Sequence, residues 1–209
     1  GRFTLIDLAD QEHDSADEDG TVGYDYETNH FTSTSYQYAR GADIVDLKIK
    51  LLTDPAADPQ ECGVEINYPH ALRKLEKLHI DNDATRPVHS NNDSNSQFFM
   101  GLHSLEEIVE APYFEAATDR SNRYRWFYGC YHLRELHETF ADPERNVIHK
   151  FVKNMQQHFE YCTNLRHIPS KYFTAFQDSP GHKLEYCSNF GYMFRYARSI
   201  EFVPEIPFR

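Results

Sequence analysis

Phe127-Tyr128-Gly129-Cys130-Tyr131-His132-Leu133-Arg134-Glu135-Leu136 is followed, 32 residues later, by Phe159-Glu160-Tyr161-Cys162-Thr163-Asn164-Leu165-Arg166-His167-Ile168. Both stretches carry the frame Phe-x-x-Cys-x-x-Leu-Arg-x-(Leu/Ile), and a frame that returns at such a distance marks a stacked repeat array. The same frame precedes the pair at Phe99 to Ile108, with Leu102 in the cysteine slot, and follows it at Phe194 to Val203, with Ala197 there. The landmarks Phe99, Phe127, Phe159 and Phe194 are 28, 32 and 35 residues apart. Fainter copies lie upstream, where Ile66 leads to Leu72 and Leu75, and Tyr38 leads to Ile44 and Leu47. The count is six units.

Before each landmark the apolar residues fall at helical spacing, as in Phe151, Met155, Phe159 and Cys162, and in Tyr186, Phe190, Phe194 and Ala197. This spacing predicts a short helix with one apolar stripe in each unit. A polar pair (Thr163-Asn164, Tyr131-His132) ends it, and the Leu-x-x-Leu/Ile that follows suits a short strand of a parallel sheet. Proline, which cannot donate to a ladder, then marks where pairing stops at Pro169 and Pro204. One unit alone cannot bury both its stripe and its leucines, whereas stacked units shelter each other. The expected fold is an α/β solenoid with short parallel strands, short helices and about six irregular coils. Residues 1–29 form an N-terminal strand and acidic loop, and residues 30–209 the solenoid, with faint units over 30–91 and clear ones over 92–209.

Of the net charge of −12, residues 1–29 hold −8, with nine acids against Arg2 alone. The rest is close to neutral and shows no basic stripe of the kind phosphate backbones require, so nucleic acid is not an expected partner. No run reaches the roughly 20 apolar residues a membrane-spanning helix needs, and membrane insertion is not expected. The chain opens on Gly1 rather than methionine, which leaves a processed or excised segment open, and no polar cap follows Phe208. The expectation there is a longer protein or another chain covering that end. Cys130 and Cys162 share one register, and Leu102 and Ala197 fill it without sulfur, so the cysteines read as small buried apolar groups. Ser15 to Gly20 resembles the first half of a calcium loop, with Asp17 and Asp19 as ligands, but its twelfth position is Tyr26, which favours a solvated acidic loop.

The pairs Phe-Tyr-Gly-Cys-x-x-Leu-x-x-Leu and Phe-x-x-Cys-Thr-Asn-Leu-x-x-Ile-Pro resemble the repeat of the BspA-like leucine-rich repeat surface proteins of bacteria and protists, which have relatives among bacteriophage proteins. The similarity covers residues 92–208 well and 30–91 weakly. It implies a leucine-rich-repeat solenoid used in adhesion or protein binding rather than catalysis.

The twelve histidines are scattered without a ligand-pair motif, and read as solvent-facing or partly packed. No nucleophile elbow, phosphate loop or dinucleotide fingerprint is present. No enzyme activity, cofactor or metal is expected, since no convergent acid, base and nucleophile can be named. The candidate binding face is the pair of rows across the strands: Arg73, Glu106, Arg134, Arg166 and Glu201 in one, and Lys74, Glu107, Glu135, His167 and Phe202 beside it. Tyrosines out of the landmark register (Tyr113, Tyr124, Tyr128, Tyr131, Tyr161, Tyr192, Tyr196), together with Trp126, exceed what a core would bury and suit a binding patch. Two functions follow. One is a recognition or adhesion module on a cell or particle surface that binds protein or glycan. The other is a structural subunit of an assembly, such as a phage tail or capsid decoration protein, held by neighbouring subunits. Either places the chain outside the cell, at its surface or on a virion.

Overall fold

The computed structural model describes strands within residues 2–31 and residues 45–52, 72, 74–84, 88, 97–114, 122–145, 152–174 and 187–206. Asp17, Asp19, Cys62 and Arg73 lie outside the described residues.

Seven strands are described: β1 (Arg2–Ile6), β2 (Glu12–Asp14), β3 (Tyr24–Asp25), β4 (His30–Phe31), β5 (Asp46–Leu52), β6 (Lys77–Asp81) and β7 (Glu107–Ile108). In β6 the sequence Lys-Leu-His-Ile-Asp alternates, and Leu78 and Ile80 are fully buried while their neighbours are half-buried. That is the period of two that a strand with one covered face requires. Strands β5, β6 and β7 run parallel, whereas β1 lies antiparallel to both β5 and β2, giving the order β2-β1-β5-β6-β7. β1 is therefore an antiparallel edge to the ladder and not one of its repeating units. The acidic stretch also departs from a plain loop, because β2 pairs with β1 and β3 pairs with β4 inside and beside it.

From Gln97 onward the chain forms four tiers led by the landmark phenylalanines, the first of which ends in β7. Their rings stack almost parallel: Phe99 on Phe127 at 5.1 Å, Phe127 on Phe159 at 5.3 Å and Phe159 on Phe194 at 5.7 Å, with interplanar angles of 5°, 5° and 7°. The first three rings are fully buried, as are Leu102, Cys130 and Cys162 below them and Leu105, Leu133 and Leu165 beyond. Trp126 is also at 0% exposure, edge-on to Phe99 and Phe127 and 5.7 Å from His158. It belongs to the core and not to a surface patch.

The backbone before each landmark is not helical. In place of i→i+4 bonds it makes consecutive four-residue turns: Glu160 N–H to Gln157 C=O, then Cys162 N–H to Phe159 C=O, with equivalents at 97–102, 125–130 and 192–197. Each tier has two left-handed residues four apart: Gln97 and Gly101, Arg125 and Gly129, Gln157 and Tyr161, Tyr192 and Tyr196. A positive φ at the third turn residue suits glycine, yet tyrosine stands there three times, at +65°, +59° and +63°. The turns free alternate N–H groups to reach the next tier. Gln97, Phe99 and Gly101 donate to the carbonyls of Tyr124, Trp126 and Tyr128; Arg125, Phe127 and Gly129 donate to Gln156, His158 and Glu160; Gln157, Phe159 and Tyr161 donate to Gly191, Met193 and Arg195. All of these bonds point toward the following tier. The apolar spacing of four, four and three fits both a helix and a pair of turns, and bonding to a neighbouring tier decides for the turns.

The last three tiers each start on an asparagine that the repeat frame had not included. Asn122, Asn154 and Asn189 each stand five residues before a landmark and form a parallel bridge ladder. Their Oδ1 atoms accept the N–H two residues on, from Tyr124, Gln156 and Gly191, at 2.9, 2.9 and 3.0 Å. An asparagine that closes such a turn satisfies a backbone donor otherwise left bare. Asn154→Ala is expected to cost about 1 kcal/mol, read as a lower urea midpoint with an unchanged slope.

Cys130 and Cys162 are free thiols, and each Sγ donates to the carbonyl of the previous tier's phenylalanine, Phe99 or Phe127, at 3.1 Å. Burial pushes the Cys130 thiol up to about 12 and raises that of Cys162 as well, so neither is a ready thiolate.

Candidate functional site

The strand ends place Glu106, Arg134, Arg166 and Glu201 in one column, each N–H bonding back to the preceding carbonyl: Arg134 to Glu106, Arg166 to Arg134 and Glu201 to Arg166. Beside it, Glu135 and His167 form a parallel bridge. Upstream, the register differs from the row expected for Arg73 and Lys74. Glu106 donates to the carbonyl of Glu76, and Lys77 pairs with Glu107, so Glu76 and Lys77 occupy those places. Leu72, Leu75 and Leu78 recur every three residues, so the frame fits twice, and the strand pairing selects the copy that ends on Leu78.

Much of this face is paired with itself. Arg134 meets Glu106 at 2.7 Å, Lys77 meets Glu107 at 3.2 Å and His167 meets Glu138 at 3.0 Å, all exposed. Such pairs contribute little to stability in water, roughly 0–1 kcal/mol each, but they occupy the charges a ligand would use. Among the described residues Arg166, Glu135 and Glu201 are exposed and outside any ion pair, and Phe202 is 64% exposed at the last tier.

A second surface flanks the turns. Arg125 lies over the rings of Tyr124 (4.9 Å) and Tyr128 (4.8 Å), and its Nε donates to Gln157 of the next tier at 2.9 Å. Tyr128 packs edge-on to Tyr161 at 5.4 Å, and Tyr161 stacks on Tyr196 at 4.8 Å. Tyr131 joins Tyr161 to His103. Arg195 lies over Tyr192 (4.4 Å) and Tyr196 (5.6 Å), with Arg198 also above Tyr196. Arg195 is fixed from below by Glu160, a carboxylate with no exposure that also accepts from Gln157 Nε2. The Glu160 hydrogen bond raises Arg195 above its usual pKa, which keeps it charged. The result is a ridge of tyrosine and arginine across three tiers, with Tyr192 59%, Tyr196 44% and Tyr131 37% exposed. Of the expected tyrosine patch, only Tyr113 stands apart, under Arg145 at 4.4 Å.

No family model, curated protein or solved structure matches the chain.

Polar groups also meet inside the core. His158, expected to be solvent-facing or partly packed, is fully buried: its Nδ1 lies 2.8 Å from the Arg123 carbonyl and its Nε2 lies 2.9 Å from the Tyr172 hydroxyl. A carbonyl only accepts, so Nδ1 carries the proton and Nε2 accepts from Tyr172. Burial lowers His158 to about 3 and Arg123 to about 10, and it raises the Tyr172 hydroxyl. The Arg123 guanidinium lies 4.5 Å from the Trp126 ring and 5.5 Å from that of Phe114. Perturbed groups of this kind mark many active sites, but all three here are sealed from solvent and serve packing. No repeat signal in the sequence singles them out.

Among the described residues no group of three or more His, Cys, Asp or Glu is placed to hold a metal ion, and no helix is long and apolar enough to cross a membrane.

Proposed function

We propose that the chain is a leucine-rich-repeat type solenoid acting as a non-catalytic recognition module on a cell or particle surface, with a protein as its ligand. The observation that carries this reading is the continuous ridge of Tyr128, Tyr131, Tyr161, Tyr192 and Tyr196 with Arg125, Arg195 and Arg198. Tyrosine and arginine dominate the energetic centres of protein interfaces, since both offer large area, stacking and directional hydrogen bonds. The rings are held by one another and by Gln157 and Glu160, so little side-chain freedom remains to be lost on binding. The resemblance of the repeat frame to BspA-like surface proteins points the same way. The second reading, a structural subunit of an assembly, is favoured by the exposed Phe202 and Val203 on the last tier.

The test is binding of the labelled protein to arrays of glycans and of displayed extracellular proteins, followed by titration of each hit. Tyr192→Ser with Tyr196→Ser is expected to weaken a protein hit by tenfold or more, while Arg134→Glu with Arg166→Glu changes it less, and both keep a native melting transition. The reverse order moves the site to the strand face, a glycan hit changes the ligand class, and no hit on either array removes the recognition reading.

A further inference from the structure

The tyrosine and arginine ridge carries charge of one sign. Across its three turn rows, residues 122–132, 154–164 and 189–199, Glu160 is the one acid, while the bases are Arg123, Arg125, Arg195 and Arg198. Glu160 is sealed beneath Arg195, and Arg123 is sealed in the core. What meets solvent is Arg125, Arg195 and Arg198, in a chain whose net charge is −12. The strand face is built differently, with Arg134, Lys77 and His167 each held by a carboxylate. The ridge runs along the flank of the stack and not over its end: Arg125, Tyr128, Tyr131 and Tyr161 belong to tiers that have a described tier on either side.

The guanidinium groups are fixed from within and open outward. Arg125 lies over Tyr124 and Tyr128 and donates its Nε to Gln157, and among the described residues nothing takes its two Nη groups. Arg195 gives Nε and Nη2 to Glu160 and keeps Nη1. Arg198 lies over Tyr196 with no hydrogen-bond partner among the described residues. An arginine stacked on a ring presents its N–H groups as a flat fork, the geometry that a carboxylate accepts with both oxygens.

Resting on the reading of the ridge as the recognition site, we propose that its ligand is an acidic segment of a partner protein. Asp and Glu carboxylates of that segment take the Nη groups of Arg125 and Arg198, while its backbone and apolar side chains lie on Tyr128, Tyr161 and Tyr196. A dense polyanion suits the ridge less well, since it calls for a stripe of many bases, and these three rows hold no lysine at all. The acidic balance of the chain elsewhere repels such a segment, so the ridge is where it is drawn and held.

The probe is a phage-displayed library of random peptides, panned against the whole protein. The selected sequences are expected to be enriched in Asp and Glu over the starting library. The strongest of them, made synthetically, is expected to bind tenfold or more weakly to a protein with Arg125→Gln and Arg198→Gln. Arg134→Gln with Arg166→Gln removes as much charge from the strand face and is expected to change little. Salt gives a readout on the unaltered protein that no misfolded variant can spoil: affinity for the synthetic peptide falls as sodium chloride rises. Selected peptides without acidic enrichment, affinity indifferent to salt, equal losses in the two double variants, or no selected peptide at all each overturn the proposal. Acidic binders found only on a variant with the acids of residues 10–19 changed to amides assign the ridge to the chain's own acidic stretch and overturn it equally. Heparin or inorganic polyphosphate binding the ridge more tightly than any selected peptide changes the ligand class and does the same. A peptide lost with Tyr192→Ser and Tyr196→Ser but kept by the arginine variants removes the acidic ligand and leaves the recognition reading standing.

Discussion

Phe159→Ala is expected to cost about 3–5 kcal/mol, the range for deleting a buried phenylalanine, and to lower the urea midpoint and melting temperature more than any substitution on the ridge. The ring has no exposed surface and is held on every side: Phe127 and Phe194 stack at 5.3 and 5.7 Å, His158 is edge-on at 4.5 Å and Tyr172 lies at 5.7 Å. Stacked pairs contribute beyond area alone, by about 0.5–1.5 kcal/mol each, and alanine removes both. The cavity cannot close easily, because the hydrogen bonds from Phe127 to His158 and from Phe159 to Met193 fix the spacing of the tiers. Typical domain stability is about 5–15 kcal/mol, so the loss is a large share of the whole. Phe194→Ala should cost clearly less, since that ring is half-buried and stacked on one side only. Equal losses at the two positions would show that the column is not what holds the tiers together.

The second large effect is with pH. His158 is neutral in the folded protein, its pKa lowered by burial from 6.5 to about 3. The unfolded chain therefore binds the proton first, and stability falls as pH drops. The contribution is complete above the unfolded value of 6.5 and is lost progressively from there down toward 3. One proton taken up only by the unfolded state changes stability by about 1.4 kcal/mol per pH unit, so roughly 2 kcal/mol should vanish between pH 6.5 and 5, before most carboxylates titrate. Urea unfolding at half-unit intervals across that window checks it, with His158→Gln as the comparison. The variant should be less stable at pH 7 but show a flatter profile. A wild-type profile as flat as the variant's would mean that the imidazole is reached by solvent.

The phenylalanine column was legible because every landmark does the same job at the same height, and identical surroundings select identical side chains. The turns were not, because their decisive feature is a positive φ at Tyr161 and Tyr196, where tyrosine gives no local sign of left-handed backbone. Glycine marks the position only at Gly101 and Gly129. The asparagines were visible in principle, at five residues before Phe127, Phe159 and Phe194, but asparagine in a polar stretch looks like any loop residue until the ladder is seen. The row through Lys74 slipped because leucines three apart match themselves when shifted, and only cross-strand pairing fixes register. The repeat frame placed the strand-face rows and set the out-of-register tyrosines apart as a patch, while their partnership with Arg125, Arg195 and Arg198 emerges only when three tiers are brought side by side. The buried trio of Arg123, His158 and Tyr172 lay furthest from reach, since it unites residues up to 49 positions apart that follow no common spacing.

Peptide dipoles aligned along one axis add, as they do in an α-helix. The turn rows supply at least three such dipoles per junction, and bonds running the other way, such as Arg166 to Arg134 and Asn164 to Tyr131, subtract one or two. The tier of Tyr192 to Tyr196 therefore forms the positive end of the described tiers, and it is also the tier of Arg195 and Arg198. The carbonyl end of the described rows faces the other way. The described tiers are thus polarised along their stack, and a negative charge near them is drawn toward the end of Arg195 and Arg198.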